Sequence, residues 1–412
     1  MGGWLAVSAL MVGIGAVAGA PGLFMVAAAT LGYGSLTRLW SRYGIGQVEY
    51  QRRLGASRAV AGDVVPLDVT IWNRKPLPLP WISADDLVTD GIGIVERPVM
   101  ERDDERLGRN VLSNAWALAW YERVVRHFHL DATRRGRYEF GPVRLRVRDI
   151  LGRDAAVAEL AADEALLVGP RTLPLRLRGR DAAPIGERRA RRSLFADPAL
   201  YGGVRPFQPG DPLRRIHWRA TARLGTHVSR RYEPARGREV LIALDVQTLP
   251  GAHWEMTYDD AAFEGLCVTA ASLARQLLAE GASCGIAAAS FTGTIERLAY
   301  LPPQAAHGQL ARASELLARI GPISSGPYAG LLTWLTRRLA PGSVVLTLSA
   351  RDPRSYLPVM QRLARSGYRV EHVAVGDDAA SYAAVVRRAG LFASSASLDP
   401  DWREADALIL AN

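Results

Sequence analysis

From Trp4 to Thr37 the chain runs through 34 uncharged, mainly apolar residues, broken at Pro21-Gly22, before its first charge at Arg38. A bilayer core asks for about 20 apolar residues per helix, and two halves of about 17 joined by a turn are short but workable. The pattern predicts a transmembrane hairpin over residues 1–40, re-entrant or doubly spanning. Ala18-Gly19-Ala20 resembles a leader cleavage site, but no basic segment precedes the apolar run. Arg38, Arg42, Arg52 and Arg53 follow it and would keep the soluble part on the cytoplasmic side of a bacterial inner membrane.

Across residues 41–170 the period changes to two. Val64 to Trp72 alternates and is followed by Asn73 and a turn rich in proline at Pro76, Pro78 and Pro80. Tyr138 and Phe140 share one strand face before Gly141-Pro142, and Val143, Leu145 and Val147 share one after it. Strands of this length separated by turns predict a β-sandwich-like domain.

Beyond Glu239 short apolar runs alternate with helical ones. Strands are predicted at Val240–Val246, Ala282–Ser290, 343–349 and 368–375, and helices at Asp259–Glu280, 307–320, 328–340 and 353–366, with a hairpin near Thr294–Leu301. That order predicts a doubly wound, Rossmann-like α/β domain within residues 199–412.

Ligands of such sheets sit beyond the carboxyl ends of the strands, which nominates Asp245 and Ser349. A hard cation there wants several closely spaced oxygen ligands. The loop reads Asp245-Val246-Gln247-Thr248-Leu249: Gln247 offers a carbonyl oxygen, Leu249 offers nothing, and the later strand ends in Ser349 where an acid would serve. The expectation is a degenerate metal site at Asp245, Gln247 and Ser349, with no cofactor and magnesium as the ion to test. Asp259 and Asp260 read as helix-start acids, not ligands.

Composition changes the picture in one segment only. The net charge of +10 is carried by arginine, Lys75 being the only lysine, and residues 171–238 hold 17 arginines against five acids. Residues 171–198 read as an arginine-rich linker. After Pro209-Gly210, Asp211 suits a helix N-cap and Pro212 a first turn. Leu213, Ile216, Ala220 and Leu224 would then share an apolar face, and Arg215, Arg219 and Arg223 a basic stripe. The stripe fits either a partner's carboxylates or ion pairs within the chain. Cys267 and Cys284 lie in apolar runs and read as buried free thiols of a reducing compartment.

The blocks Arg205-Pro206-Phe207-Gln208-Pro209-Gly210-Asp211, Arg214-Arg215-Ile216-His217-Trp218, Ala222-Arg223 and Arg230-Arg231-Tyr232-Glu233 together resemble the signature of the "domain of unknown function 58" family. Arg135-Gly136-Arg137-Tyr138, Gly141-Pro142 and Asp149-Ile150-Leu151-Gly152 resemble a second block of that family. The resemblance implies a membrane-anchored protein with a von Willebrand A-like domain, working beside a MoxR-type AAA+ ATPase, with no established catalytic activity. It also implies an Asp-x-Ser-x-Ser-like loop, of which this chain keeps only Asp245.

The function expected from these features is a non-enzymatic adaptor in envelope-related assembly or maturation. Its interaction surface would be Asp211, Arg214, Arg215, His217, Trp218, Arg219 and Arg223. A hydrolase using Asp245 is the weaker alternative, because the chain lacks a Gly-x-Ser-x-Gly elbow, a phosphate loop and a His-Glu-x-x-His motif. A binder of anionic lipid or nucleic acid rests on charge alone, and no base-reading signature accompanies it.

Overall fold

In the computed structural model of the chain, the alternating run Val65, Leu67, Val69 and Ile71 forms the inward face of strand β3 (Asp63–Asn73). The described residues are 2–19, 21–89, 91–95, 101–104, 109–149, 152–161, 164–178, 201–206, 216–232, 239–252, 254, 257–292, 297–396 and 406–411. They fall into two units, Met1–Gly169 and Pro170–Asn412.

In the first unit, β3 pairs antiparallel with β1 (Val48–Leu54) and β8 (Arg123–Ala132), and β5 (Gly93–Ile94) closes a four-stranded sheet. The second sheet runs β2 (Arg58–Val60), β11 (Glu164–Gly169), β9 (Gly136–Arg148), β4 (Leu79–Thr89), β7 (Arg109–Leu118) and β6 (Glu101–Asp104), with β10 (Asp154–Leu160) also on β9. Inward residues of both sheets make one core, so the unit is a sandwich. A buried ion pair crosses it: Arg52 Nη1 of β1 reaches Asp86 Oδ1 and Oδ2 of β4 at 2.6 and 2.5 Å.

The structure overturns the expected transmembrane hairpin. Among the described residues no helix is long and apolar enough to cross a membrane. Helix α1 (Gly2–Val17) has 16 residues, about 24 Å at 1.5 Å per residue, against a hydrocarbon core of about 30 Å. Helix α2 (Pro21–Tyr43) has 23, but Ser35, Thr37, Arg38, Ser41 and Arg42 make its second half polar. That half also packs on the sandwich. Trp40 is buried, with Nε1 donating to the Pro78 carbonyl at 3.0 Å, and the Tyr33 hydroxyl donates to Asp149 Oδ2 at 3.1 Å. Lys75 Nζ holds the helix end by donating to the Gly44 and Gly46 carbonyls, each at 2.7 Å.

The second unit is built on an eight-stranded sheet. Its order is β12 (Leu175–Arg178), β21 (Leu408–Ala411), β20 (Phe392–Ala396), β19 (Arg369–Val375), β18 (Val344–Ser349), β15 (Glu239–Leu244), β16 (Ser283–Ala288) and β17 (Ala299–Gln304). Strands β15, β16, β18, β19 and β20 are mutually parallel, while β17 and β21 run antiparallel to β16 and β20. Both faces are covered, so the successive residues Val240 to Leu244 of β15 are all buried. Val240, Ile242 and Leu244 join the core under α4 (Asp260–Ala279) and α5 (Gln309–Arg319). Leu241 and Ala243 join the core under α6 (Tyr328–Leu335), α7 (Leu357–Arg365) and α8 (Ala379–Arg388).

Two helices packed on this sheet depart from the sequence expectation by more than two residues. Helix α6 stops at Leu335, and the run 353–366 divides into a short 3-10 turn, Pro353–Ser355, and α7. Pro358 is the reason for the second: it has no amide proton and fits only the first turn of a helix, so the helix restarts around it. The remaining described elements of this unit are a two-stranded hairpin, β13 (Tyr201–Pro206) with β14 (Val228–Tyr232), and helix α3 (Trp218–Leu224) between them.

Candidate functional site

Strand order reverses at β15, which has β16 on one side and β18 on the other. From such a reversal the loops leave in opposite directions and open a crevice at the carboxyl ends of the strands. Asp245 follows β15 and Ser349 ends β18, so the residues that mark the strand ends in sequence meet across this crevice. Ser349 Oγ donates to Asp245 Oδ2 at 2.9 Å, and the Asp245 amide donates to the Leu348 carbonyl at 2.8 Å.

A third residue, which the sequence reading did not weigh, completes the arrangement. Arg351 Nε donates to the same Oδ2 at 2.7 Å, with the arginine side chain 13% and the aspartate 3% exposed. The other carboxylate oxygen accepts the Gln247 amide at 3.3 Å. Burial pushes the Asp245 carboxyl above its ordinary range, and the Arg351 guanidinium and the bonds from Ser349 and Gln247 oppose that rise. Beneath lie three buried rings. Tyr328 donates to the Ala243 carbonyl at 2.7 Å, Tyr356 meets Tyr328 edge-on at 5.0 Å, and His372 of β19 lies 6.0 Å from Tyr356.

A divalent ion does not fit this donor set. It needs several oxygens with lone pairs turned toward one point. Here both Asp245 oxygens receive N–H or O–H donors. The Gln247 side-chain amide is turned away and donates to the Gly251 carbonyl at 2.8 Å, and Thr248 Oγ1 accepts the Asp259 amide at 2.8 Å. Leu249 carries no donor atom. Asp259 caps α4 through the Ala262 amide at 3.1 Å. Among the described residues no group of three or more His, Cys, Asp or Glu is placed to hold a metal.

The other nominated surface divides. Asp211, Arg214 and Arg215 lie outside the described residues. Ile216 is buried and bridges Ser229 as a strand residue, so helix α3 begins only at Trp218. His217 is its N-cap, with Nδ1 accepting the Ala220 amide at 3.1 Å, and Gly225 ends it in the left-handed region at φ 68°. The exposed residues Trp218, Arg219, Ala222 and Arg223 are spaced i, i+1, i+4 and i+5, which sets them on one face. Trp218 is 63% exposed, and among the described residues neither Arg219 nor Arg223 is in an ion pair. Both cysteines are buried free thiols, and burial pushes Cys284 up to about 12.

Residues 203–375 match a family described as "Protein of unknown function DUF58". The chain is 24% identical over 257 residues to a protein described as uncharacterized protein YeaD of Bacillus subtilis strain 168. That alignment covers 60% of this chain and 58% of the relative, so the chain spans somewhat over half of the relative's length. Three solved structures resemble parts of the chain. They are the CARDB domain of a Pyrococcus furiosus protein crystallised with di-metal ions (15% identity, 29% of this chain and 91% of that one, TM-score 0.19), the sporulation control protein Spo0M of Bacillus subtilis (13%, 30% and 50%, TM-score 0.18), and a cohesin module from a Clostridium perfringens glycoside hydrolase (6%, 30% and 98%, TM-score 0.21). Likeness this slight bears on neither fold nor function.

Proposed function

We propose, from the match of residues 203–375 to the DUF58 family, that the chain is a non-enzymatic adaptor that holds a protein partner. The observation that carries the reading is the outward face of α3, where Trp218 stands exposed beside Arg219 and Arg223, both exposed and, among the described residues, in no ion pair. Tryptophan and arginine are the side chains that most often dominate binding energy at protein interfaces, and among the described residues neither Trp218 nor these two arginines has a partner. The strand-edge acid supports the same reading from the other side. Asp245 is saturated by Ser349, Arg351 and Gln247, which leaves it poorly placed to act as a base or nucleophile.

The partner proposed is a MoxR-type AAA+ ATPase in envelope-related assembly or maturation, with a von Willebrand A-like role for the α/β unit. Both come from the family resemblance, and the exposed tryptophan and arginines suit an acidic, partly apolar surface on that partner. The test is affinity purification of the tagged full chain from its own host. Stoichiometric recovery of an AAA+ ATPase, reduced at least about tenfold by Trp218→Ala or by Arg219→Glu with Arg223→Glu, is the expected result. Recovery of lipid or nucleic acid alone, or of the ATPase undiminished by these changes, rejects it.

A further inference from the structure

A carboxylate buried as deeply as Asp245 needs either a proton or a cation beside it. The crevice supplies a cation from the chain. Arg351 Nε is 2.7 Å from Oδ2, and Ser349 Oγ and the Gln247 amide complete the donors to the two oxygens.

The guanidinium is held in place rather than laid there loosely. The Arg351 amide donates to Ser349 Oγ at 3.3 Å, and Nη1 donates to Ser355 Oγ at 3.3 Å. Its carbon lies 5.5 Å from the centre of the Tyr356 ring, and that ring is fixed edge-on against Tyr328. Asp352 caps the 3-10 turn that follows, through the Arg354 amide at 3.0 Å, and so sets the path of the loop that presents the arginine.

We infer that Arg351 is the resident cation of this strand-edge site, standing where a sheet of this kind could hold a divalent ion and making the site independent of metal. The donor geometry carries the inference by itself. A metal ion near Oδ2 would meet a fixed positive charge and a hydroxyl proton, whereas a planar guanidinium satisfies charge and hydrogen bonding together. This conclusion stands apart from the proposed adaptor role, because it concerns what neutralises Asp245 and not what docks nearby.

Thermal unfolding of the full chain tests it. The wild-type midpoint is expected to rise by less than about 1 °C between EDTA and millimolar Mn2+, since a ligand raises stability only by binding the folded state more tightly than the unfolded one. Arg351→Met keeps side-chain bulk and removes the charge, stranding Asp245, and is expected to lower the midpoint by roughly 10 °C. Arg351→Lys, which keeps a charge, should lose clearly less. The double variant Asp245→Asn with Arg351→Met should recover at least about half of the loss, because the charge that needed an answer has gone with its partner. A merely structural role for Arg351, packing on Tyr356, would give no such recovery. A saturable rise of the wild-type midpoint with Mn2+ overturns the inference. So does a double variant no more stable than Arg351→Met, including the case in which neither folds.

Discussion

His372 shows how a single buried base ties stability to pH. It is 1% exposed on β19, and Thr347 Oγ1, which donates to the Glu371 carbonyl at 3.1 Å, lies 3.0 Å from His372 Nδ1. With its one proton given to Glu371, that hydroxyl receives Nδ1–H from a neutral ring. Among the described residues Nε2 has no partner. Burial holds the ring's pKa down to about 4. An unfolded histidine titrates near 6.5, so between pH 6.5 and 4 the unfolded chain binds the extra proton and stability falls as pH falls; above 6.5 the ring is neutral in both states. The loss attributable to this group is on the order of 3 kcal/mol. Urea unfolding of wild type and His372→Gln at several pH values between 7 and 4 checks it. The variant should show a shallower decline, and parallel curves would assign the acid sensitivity elsewhere. Neither this histidine nor Arg351 was legible in the sequence as part of the crevice. The sequence offers Ser349 where an acid at the end of β18 would serve, while the cation that matters lies two residues further on.

At the scale of elements, close backbone approach is what the chain tolerates least. Gly285 of β16 faces β17, and a Cβ there would lie 2.5 Å from the Leu301 carbonyl oxygen and 2.6 Å from the Pro303 nitrogen. Gln309 spans the same junction, with Nε2 donating to the Cys284 and Pro302 carbonyls at 2.8 and 2.9 Å. Gly285→Ala is therefore expected to cost about 1–3 kcal/mol, as overpacking against fixed backbone does. Gly330→Ala is the control. That glycine is exposed in α6, and its Cβ would meet only the Pro327 ring at 3.4 Å, so a gain of up to about 1 kcal/mol is expected. Equal losses in urea unfolding would refute the steric account. Strand β9 makes a related point about legibility. Its inward residues change parity at Gly141-Pro142, from Tyr138 and Phe140 to Val143, Leu145 and Val147, yet all five are buried in one core. A register shift against β4, where Asp86 faces Val143 and Val88 faces Phe140, absorbs the change. The two faces could be read from the sequence; that a bulge unites them could not.

The chain's two units each have their own core. One is drawn from residues 40 to 168, and the other unit's two sheet faces bury residues between 173 and 410. A unit with a complete core folds on its own terms. Residues 170–412 expressed alone should unfold cooperatively, at a midpoint within a few degrees of a transition seen in the full chain; a fragment without a cooperative transition would contradict this. Local pattern was enough to locate much of the second unit: the run Val240–Val246 falls on β15 and Asp259–Glu280 on α4, each to within two residues, because contiguous apolar strands and amphipathic helices write their period into neighbouring positions. Hydropathy misled at the amino terminus for a related reason. It averages composition along a window, and it cannot register that the second half of α2 is packed through Trp40 and Tyr33 against a sandwich formed by residues far along the chain. What the sequence determined by itself is thus the kind and approximate position of elements, and the family signature around α3. Only the tertiary structure decided that β15 and β18 lie side by side, and so that Arg351, 106 residues from Asp245, supplies its counter-charge. Such a pairing depends on strand order, and no local spacing encodes it.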